Sequence, residues 1–435
     1  MTGNGRAGEV LRQRNFRLYL LGVVSSQIGS RATTAAILYH VYQLTGSTLQ
    51  VGLVGAAQAA ILFVLSPVGG LYADRLDRRR LLQACQAVSM LVSLSLGLVT
   101  LLGAVELWHI LTAVVLTGAA VTFEQPARQA LVPAVVGTDH LVEALAFTNP
   151  ARELAILIGP AVGGLLLTID PGVVYVFDAA TYVAMIFALA AMHLLPQESL
   201  SRTHSAGRSI VEGFRFVVRR PLIGQAMVLD MTMTIFGAYR VLLPSLAADV
   251  FLVGPAGYGL LAAAPAAGGL LGSALVFALI RRVPQGRVVL GATAAYGVSV
   301  IGLAQAPAFA MAVIAVGFAG CFDTLSATIR HGLVQLETPD VLRGRVSSVH
   351  QLASRGGPSV GDAGMGALAS AIGPVAALTA GGLVPIVAAI ASLVTPTQMR
   401  SYGPLGDRQE SALRHGPNQG QELGPTAEKE EEWPQ

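Results

Sequence analysis

Twelve stretches of about 20 mostly apolar residues recur along this chain of 435 residues, parted by short polar turns. A helix rises about 1.5 Å per residue, so each stretch can cross the roughly 30 Å hydrocarbon layer of a bilayer. The expected limits are 17–43, 50–73, 81–103, 107–128, 145–168, 172–194, 222–250, 257–280, 288–306, 308–330, 347–370 and 373–395. Only 12% of the residues are charged, against about 25% in soluble domains. That composition excludes an ordinary soluble enzyme and sets the fold class as an all-α membrane protein with 12 transmembrane helices. The opening residues MTGNGRAGEVLRQRNFR lack the short apolar core and small-residue cleavage site of a signal peptide, so the first span is expected to be retained.

An even number of spans places both ends of the chain on one side. All but two of the 28 Lys and Arg residues lie in the N-terminal arm, the connections that follow even-numbered spans, the helix ends bordering them, or the C-terminal tail. The other connections, around Gly46, Val105, Asp170, Val253, Ala306 and Ile372, carry none. By the positive-inside rule both termini are expected in the cytoplasm. The net charge of +3 therefore reflects topology, and no nucleic-acid partner is implied. The two exceptions are Arg31, midway along the first span, and Arg240 in the seventh. A charge at that depth costs about 2.5–3.5 kcal/mol on insertion scales, so both are expected to face a wet cavity or an ion-pair partner.

The halves of the chain repeat. RQALV (128–132), followed by Asp139 and Leu141, recurs as RHGLV (330–334), followed by Asp340 and Leu342. GPAVG (159–163) recurs as GPSVG (357–361). The first pair of words falls after spans 4 and 10, the second inside spans 5 and 11, which implies two pseudo-symmetric six-helix bundles in parallel orientation. The expected division is a first half at 1–195, a linker at 196–221, a second half at 222–400 and a disordered cytoplasmic tail at 401–435. Within the linker, Ile210, Phe214, Val217 and Val218 fall opposite Glu212, Arg215 and Arg219, the pattern of an amphipathic helix on the inner membrane surface.

Catalytic signatures are missing from the sequence. Lys429 in the tail is the sole lysine, so no phosphate-binding Walker loop exists, and HExxH, CxxC and a GxSxG elbow are absent. Cys85 and Cys321 lie far apart in apolar runs and read as packing residues; no metal and no cofactor is expected. His40 and His109 near helix ends read as interfacial or hydrogen-bonded side chains. What remains is a sparse set of ionisable groups within the spans. Glu124 and Arg128 share a helix face at i, i+4. Arg152 and Glu153 start span 5, and Asp178, Asp230, Asp323 and Asp362 lie in spans 6, 7, 10 and 11. Low dielectric disfavours a charged carboxylate, which is the property a proton-loading group needs; Asp178 and Asp230 are the foremost candidates. The alternative is that several of these acids pair with Arg31, Arg240, Arg152 or Arg355. In span 5, Gly159, Gly163 and Gly164 permit close helix approach and make a packing seam, and Pro160 adds a kink or a swivel point by removing one backbone hydrogen bond.

The charged turn GGLYADRLDRRRLL carries Gly70, Asp74, Arg75, Arg78 and Arg79 in the order G-x-x-x-D-R-x-G-R-R, with Asp77 where that pattern has glycine. It resembles the loop 2–3 signature of the major facilitator superfamily (MFS). The resemblance implies that Asp74 faces the start of helix 11 and helps to latch the cytoplasmic side. GPAVGG resembles the helix 5 antiporter motif of exporters in that superfamily, whereas WHILTAVVLTGAA (108–120) lacks the arginine that drug–proton antiporters often carry in helix 4. NFRLYLLG, YQLTGSTLQVGLV, FRFVVRRPLIG, AYRVLLPSLAADV and GLVQLETPDVLRGRVSSV extend the likeness over nearly the whole chain, toward the branch of enterobactin export together with drug and macrolide efflux. Arg240 in AYRVLLP matches an arginine of that branch, while Arg31 has no such counterpart. The likeness implies a monomeric, proton-coupled exporter of the bacterial cytoplasmic membrane that works by alternating access on a siderophore or drug-like amphipathic molecule. The rival reading is a transport-inactive scaffold or sensor on the same fold.

Overall fold

The structure, a computed structural model, describes residues 3–75, 77–192, 206–280, 282–394, 399–400 and 402–403. The described residues form helices and no strands. Twelve long segments follow the expected spans: α1 (Arg14–Thr45), α2 (Thr48–Arg75), α3 (Arg78–Leu101), α4 (Leu107–Val136), α5 (Leu141–Leu167), α6 (Pro171–Ala191), α7 (Pro221–Val250), α8 (Gly254–Leu279), α9 (Gln285–Ala304), α10 (Phe309–Leu336), α11 (Asp340–Ile372) and α12 (Pro374–Val394). Among the described residues, 10 are long and apolar enough to cross a membrane by length and composition. The other two, α1 and α11, carry polar groups in mid-helix, among them Gln27, Arg31, Gln351, Ser354 and Arg355, and these face an interior cavity.

Local chemistry sets the helix ends. Gly46, at φ 60°, ends α1 in the left-handed region that glycine tolerates, and its N–H donates to the Tyr42 carbonyl at 2.7 Å. Asp77, the departure from the loop signature, caps α3: its Oδ1 accepts from the backbone N–H of Arg80 at 2.8 Å. Asp170 caps α6 by accepting from the Gly172 N–H at 2.6 Å.

Several expectations need correction. Helices α4 and α10 run on to Val136 and Leu336, so RQALV and RHGLV lie inside their last turns, not after them. Pro126 and Pro133 sit within α4 without ending it, as neighbouring helices permit in a bundle. Span 7 is not one regular helix. It is α-helical over Pro221–Met231, widens into a π turn at Thr232–Phe236, breaks before the short 3₁₀ turn Arg240–Leu242, and widens again at Leu246–Val250. Nor does the chain leave the fold at about residue 400: Met399 and Tyr402 are buried against the start of α9, and the Tyr402 hydroxyl donates to Glu337 at 3.0 Å. The linker helix spans Ala206–Arg219 and packs on α11, where Glu212 pairs with Arg345. Of its expected apolar stripe, Val217 turns into the protein, whereas Phe214 and Val218 stay uncovered, as a face on a lipid surface would be. Residues 193–205, which include the first part of the linker, and the EKEEE run lie outside the described residues.

Two six-helix bundles result. In the first, α1 packs on α5 and α6, α3 on α4 and α6, and α2 on α4; in the second, α10 packs on α8 and α9, and α12 on α9. Two helix pairs join the bundles, α2 with α11 and α5 with α8. The chain enters α1 and leaves α12 at the same face, which also carries the arginine-bearing connections and is termed the basic face here; the opposite one is the neutral face.

The buried apolar core differs between these faces. Toward the neutral face one cluster spans both bundles, joining Ala35, Ile37 and Val41 of α1 to Leu242 and Leu246 of α7 and Leu261 of α8. Toward the basic face there are two separate clusters. One holds Phe16, Leu82, Leu131 and Leu189 of the first bundle, the other Ile223, Val289, Leu333 and Val346 of the second. The glycine crossings agree. A Cβ on Gly164 would lie 2.3 Å from the Gly259 Cα, and one on Gly366 would lie 2.7 Å from the Gly52 Cα. Both crossings are in the neutral-face halves of their helices. The bundles are therefore fused on one side and parted on the other.

Candidate functional site

The parted side opens into a cavity with two lobes. The inner lobe, of about 590 Å³, is lined by Arg31, Leu38, Glu153 and Pro160 from the first bundle and by Tyr239, Arg240, Tyr258 and Asp323 from the second, among others. The outer lobe, of about 760 Å³, lies nearer the basic face; α1, α2, α4 and α5 line it on one side and α10 and α11 on the other. Arg31 and Ile156 line both lobes. A concave site with apolar walls and a few convergent polar groups suits a small amphipathic molecule.

Tyrosines roof the inner lobe. The Tyr258 hydroxyl on α8 donates to the Ala35 carbonyl of α1 at 2.7 Å, and its ring lies 5.0 Å from that of Tyr39, centroid to centroid. Further out, the Tyr42 hydroxyl of α1 donates to Asp249 of α7, again bridging the bundles. These residues were not singled out from the sequence, because aromatic side chains at helical spacing look like ordinary core.

The candidate charges fall into three groups. Arg31 and Asp323 line the inner lobe, and neither makes an ion pair among the described residues. Arg240 also lines it, with Nη2 at 2.6 Å from the Asp362 Oδ2 on α11; Asp362 itself is only 2% exposed. Away from the cavity, Glu124 and Arg128 pair one helical turn apart, as their spacing implies. Asp230 lies against Arg330 of α10 at 2.6 Å and accepts from the Ser354 hydroxyl at 3.1 Å. In sequence Arg330 stands only within a repeat word near a helix end, with nothing to mark its burial; in the structure it is the most buried cation among the described residues, 1% exposed. Asp178, 1% exposed between α1, α3 and α6, accepts from the Ser93 hydroxyl at 2.8 Å and has no cationic partner among the described residues. So neither foremost acid, Asp178 or Asp230, lines the cavity, while Asp323 and Glu153 do.

The helix 5 motif forms two seams. Cβ atoms added at Gly159 and Gly163 would meet Arg31 Cβ at 2.4 Å and the Ala32 carbonyl at 2.8 Å on α1. Gly164 faces α8, and Pro160 turns to the cavity. In the second bundle the repeated word packs the same way, Gly361 against Thr234 and Ile235 of α7. In the loop signature, the Arg78 guanidinium donates to the Ala130 carbonyl at 3.3 Å and that of Arg79 to the Ala190 carbonyl at 3.0 Å, tying the start of α3 to the ends of α4 and α6. The side chains of Gly70, Asp74 and Arg75 lie outside the described residues.

Two helix bundles around a shared cavity, fused at one face and open at the other, define a transporter of the MFS type. The chain belongs to the Transmembrane secretion effector family of that superfamily, whose model matches residues 8–409. It is 28% identical over 392 residues to the "Enterobactin exporter EntS" of Escherichia coli O1:K1 / APEC, covering 89% of this chain and 93% of the relative. It is 27% identical over 390 residues to the exporter of that name from Shigella dysenteriae serotype 1 (strain Sd197), covering 89% of this chain and 93% of that one. Among solved structures, a bacterial homologue of the human lysosomal transporter Spinster, inward-facing and unoccupied, matches with a TM-score of 0.67 at 15% identity, over 93% of this chain and 99% of that one. A bacterial homologue of the iron transporter ferroportin, also inward-facing, matches with a TM-score of 0.67 at 16% identity, over 88% and 99% of the two chains. At such identities the structural likeness shows the fold alone. The protein is a multi-pass membrane transporter for a small molecule.

Proposed function

We propose that this transporter is a proton-coupled exporter of amphipathic small molecules, siderophores or drug-like compounds, working by alternating access as a monomer in the bacterial cytoplasmic membrane. The observation that carries the reading is the core, continuous across the bundles at the neutral face and divided at the basic face. With the basic face and both termini in the cytoplasm, as the arginine distribution favours, the cavity opens where an exporter collects its cargo. Rocking about the α2–α11 and α5–α8 pairs would part the tyrosine roof and close the vestibule. The halves that rock would be residues 1–195 and 222–400, joined by the linker at 196–221; the separate basic-face cores support that division.

Proton coupling needs a carboxylate that is protonated in one state and not the other. Asp178 and Asp323 fit best, since neither is neutralised by an ion pair among the described residues, whereas Asp230, Asp362 and Glu124 each lie against an arginine. The gate role of Asp74 follows the loop signature. Asp74→Asn is expected to slow cycling while leaving membrane insertion intact, and a transport rate equal to wild type would count against the gate.

Inside-out vesicles with an acid-inside gradient, offered a catecholate siderophore, a hydroxamate siderophore and several macrolide or cationic drugs, test the whole reading. Concentrative uptake of at least one compound, lost on collapsing the gradient and uncoupled from pH in Asp178→Asn or Asp323→Asn, is the expected result. Uptake indifferent to the gradient would remove the coupling. No uptake of any compound would favour the scaffold.

A further inference from the structure

Among the described residues, the outer lobe of the cavity is lined by three guanidinium groups and no carboxylate. Arg31 of α1, Arg152 of α5 and Arg355 of α11 reach it from both bundles, together with His331 of α10. The remaining polar lining is neutral, chiefly the carboxamides of Gln27, Gln125, Gln129 and Gln351. Of the three arginines, Arg152 lies 3.5 Å from Glu153, which faces the inner lobe. Arg31 and Arg355 make no ion pair among the described residues. The positive-inside rule explains basic residues at the membrane surface, but it gives no reason for a cation at the depth of Arg31, nor for walls that, among the described residues, carry four amides and no carboxylate.

The inner lobe continues the pattern with a second guanidinium. Arg240 shares that lobe with Arg31, and its charge is answered by Asp362 behind it. The carboxylates that do face the space, Glu153 and Asp323, both belong to the inner lobe. A molecule entering from the basic face would thus meet a cationic vestibule first and a mixed-charge chamber next. Guanidinium groups are weakly hydrated, planar donors suited to carboxylates and other oxyanions, and a water-filled recess with walls of low dielectric focuses their field.

We infer that the vestibule is an anion-receiving site and that the cargo is an amphipathic organic anion, with carboxylate, sulfonate or phenolate groups held by Arg31 and Arg355 and its apolar body against Leu62, Val121 and Leu352. This names the substrate class for the export reading and rests on it for the transport step. The binding step stands apart, so it is tested at equilibrium without a gradient.

Two dyes of similar ring system and opposite charge, carboxyfluorescein and rhodamine 6G, serve as probes for the purified full-length protein in zwitterionic nanodiscs, read by fluorescence polarisation. Carboxyfluorescein is expected to bind, more weakly as salt rises, and its affinity to fall by about tenfold or more in Arg31→Gln and in Arg355→Gln, the scale of one charge-assisted contact. Arg31→Lys and Arg355→Lys, which keep the charge, are expected to recover part of that loss and to show that the Gln variants are not simply misfolded. Rhodamine 6G is expected to bind no better to wild type than to the Gln variants. Tighter binding of rhodamine 6G than of carboxyfluorescein, or carboxyfluorescein binding unchanged in both Gln variants, would overturn the inference. Vesicle uptake of cationic drugs alone would also overturn it while leaving the exporter reading intact. Anion binding without any uptake would do the reverse.

Discussion

Arg330 and Asp230 form a buried pair whose consequence is sharpest at the level of single side chains. Arg330 is 1% exposed, and besides the carboxylate it donates to the Met233 sulfur at 3.3 Å, at the π turn of α7. Removing one partner of such a pair strands a charge away from water, which typically costs about 3–5 kcal/mol, whereas replacing both can be nearly neutral. Arg330→Met is therefore expected to lower the thermal stability of the purified protein strongly, and the double variant with Asp230→Asn to recover most of the loss. A double variant as unstable as the single one would mean that packing of the arginine stem dominates. The sequence made Asp230 visible as an intramembrane acid but not its partner, because Arg330 sits 100 residues away, close to a helix end where basic residues abound. The pair Glu124–Arg128 was legible because both members lie on one helix, a turn apart. Asp323 was visible too, yet only the fold distinguishes an acid that lines a cavity from one tucked between helices, as Asp178 is.

The crossing of α5 and α8 concentrates the helix-scale account in two glycines. Backbone meets backbone there, with a Cβ on Gly259 falling 2.7 Å from the Gly164 Cα. No flexible side chain can give way, so a methyl group must push the helices apart at the neutral face. Gly164→Ala and Gly259→Ala are expected to destabilise the neutral-closed arrangement, raising the reactivity of a cysteine placed at Tyr42 toward a membrane-impermeant thiol reagent added from the neutral face. Unchanged reactivity would mean that the crossing does not hold the roof shut. Glycines of the helix 5 word were readable as a packing seam, but which helices they met was not, since small residues say how close a neighbour comes and not which neighbour it is. Span limits were readable wherever an apolar run met a cap such as Gly46 or Asp170, and misplaced where arginine and proline continue a helix, as at the end of α4. The breaks in α7 left no mark beyond Gly237 and Pro244, because each of its pieces is apolar enough to pass for an uninterrupted span.

For the molecule as a whole, the twelvefold crossing pattern, the two-bundle repeat and the superfamily were legible, because each rests on features counted over many residues. The cavity was not, since it exists only between surfaces that belong to different halves of the chain. Its vestibule, free of carboxylates among the described residues, opens toward the basic face, and its tyrosine roof lies toward the neutral one. The central claim is that the same cavity is reached alternately from the two faces, and the α5–α8 pair offers a direct reading of it. Spin labels at Val142 and Arg282 would report the basic-face ends of that pair, and labels at Ile169 and Ala256 the neutral-face ends, with buried Cys85 and Cys321 replaced by alanine. Distances are measured by pulsed electron resonance in nanodiscs, with a transported compound and at the pH values of the two membrane faces. The expected result is reciprocal: the Val142–Arg282 distance shortens as the Ile169–Ala256 distance lengthens. Distances that stay fixed, or that change in the same sense while vesicles of the same protein still transport, would contradict alternating access.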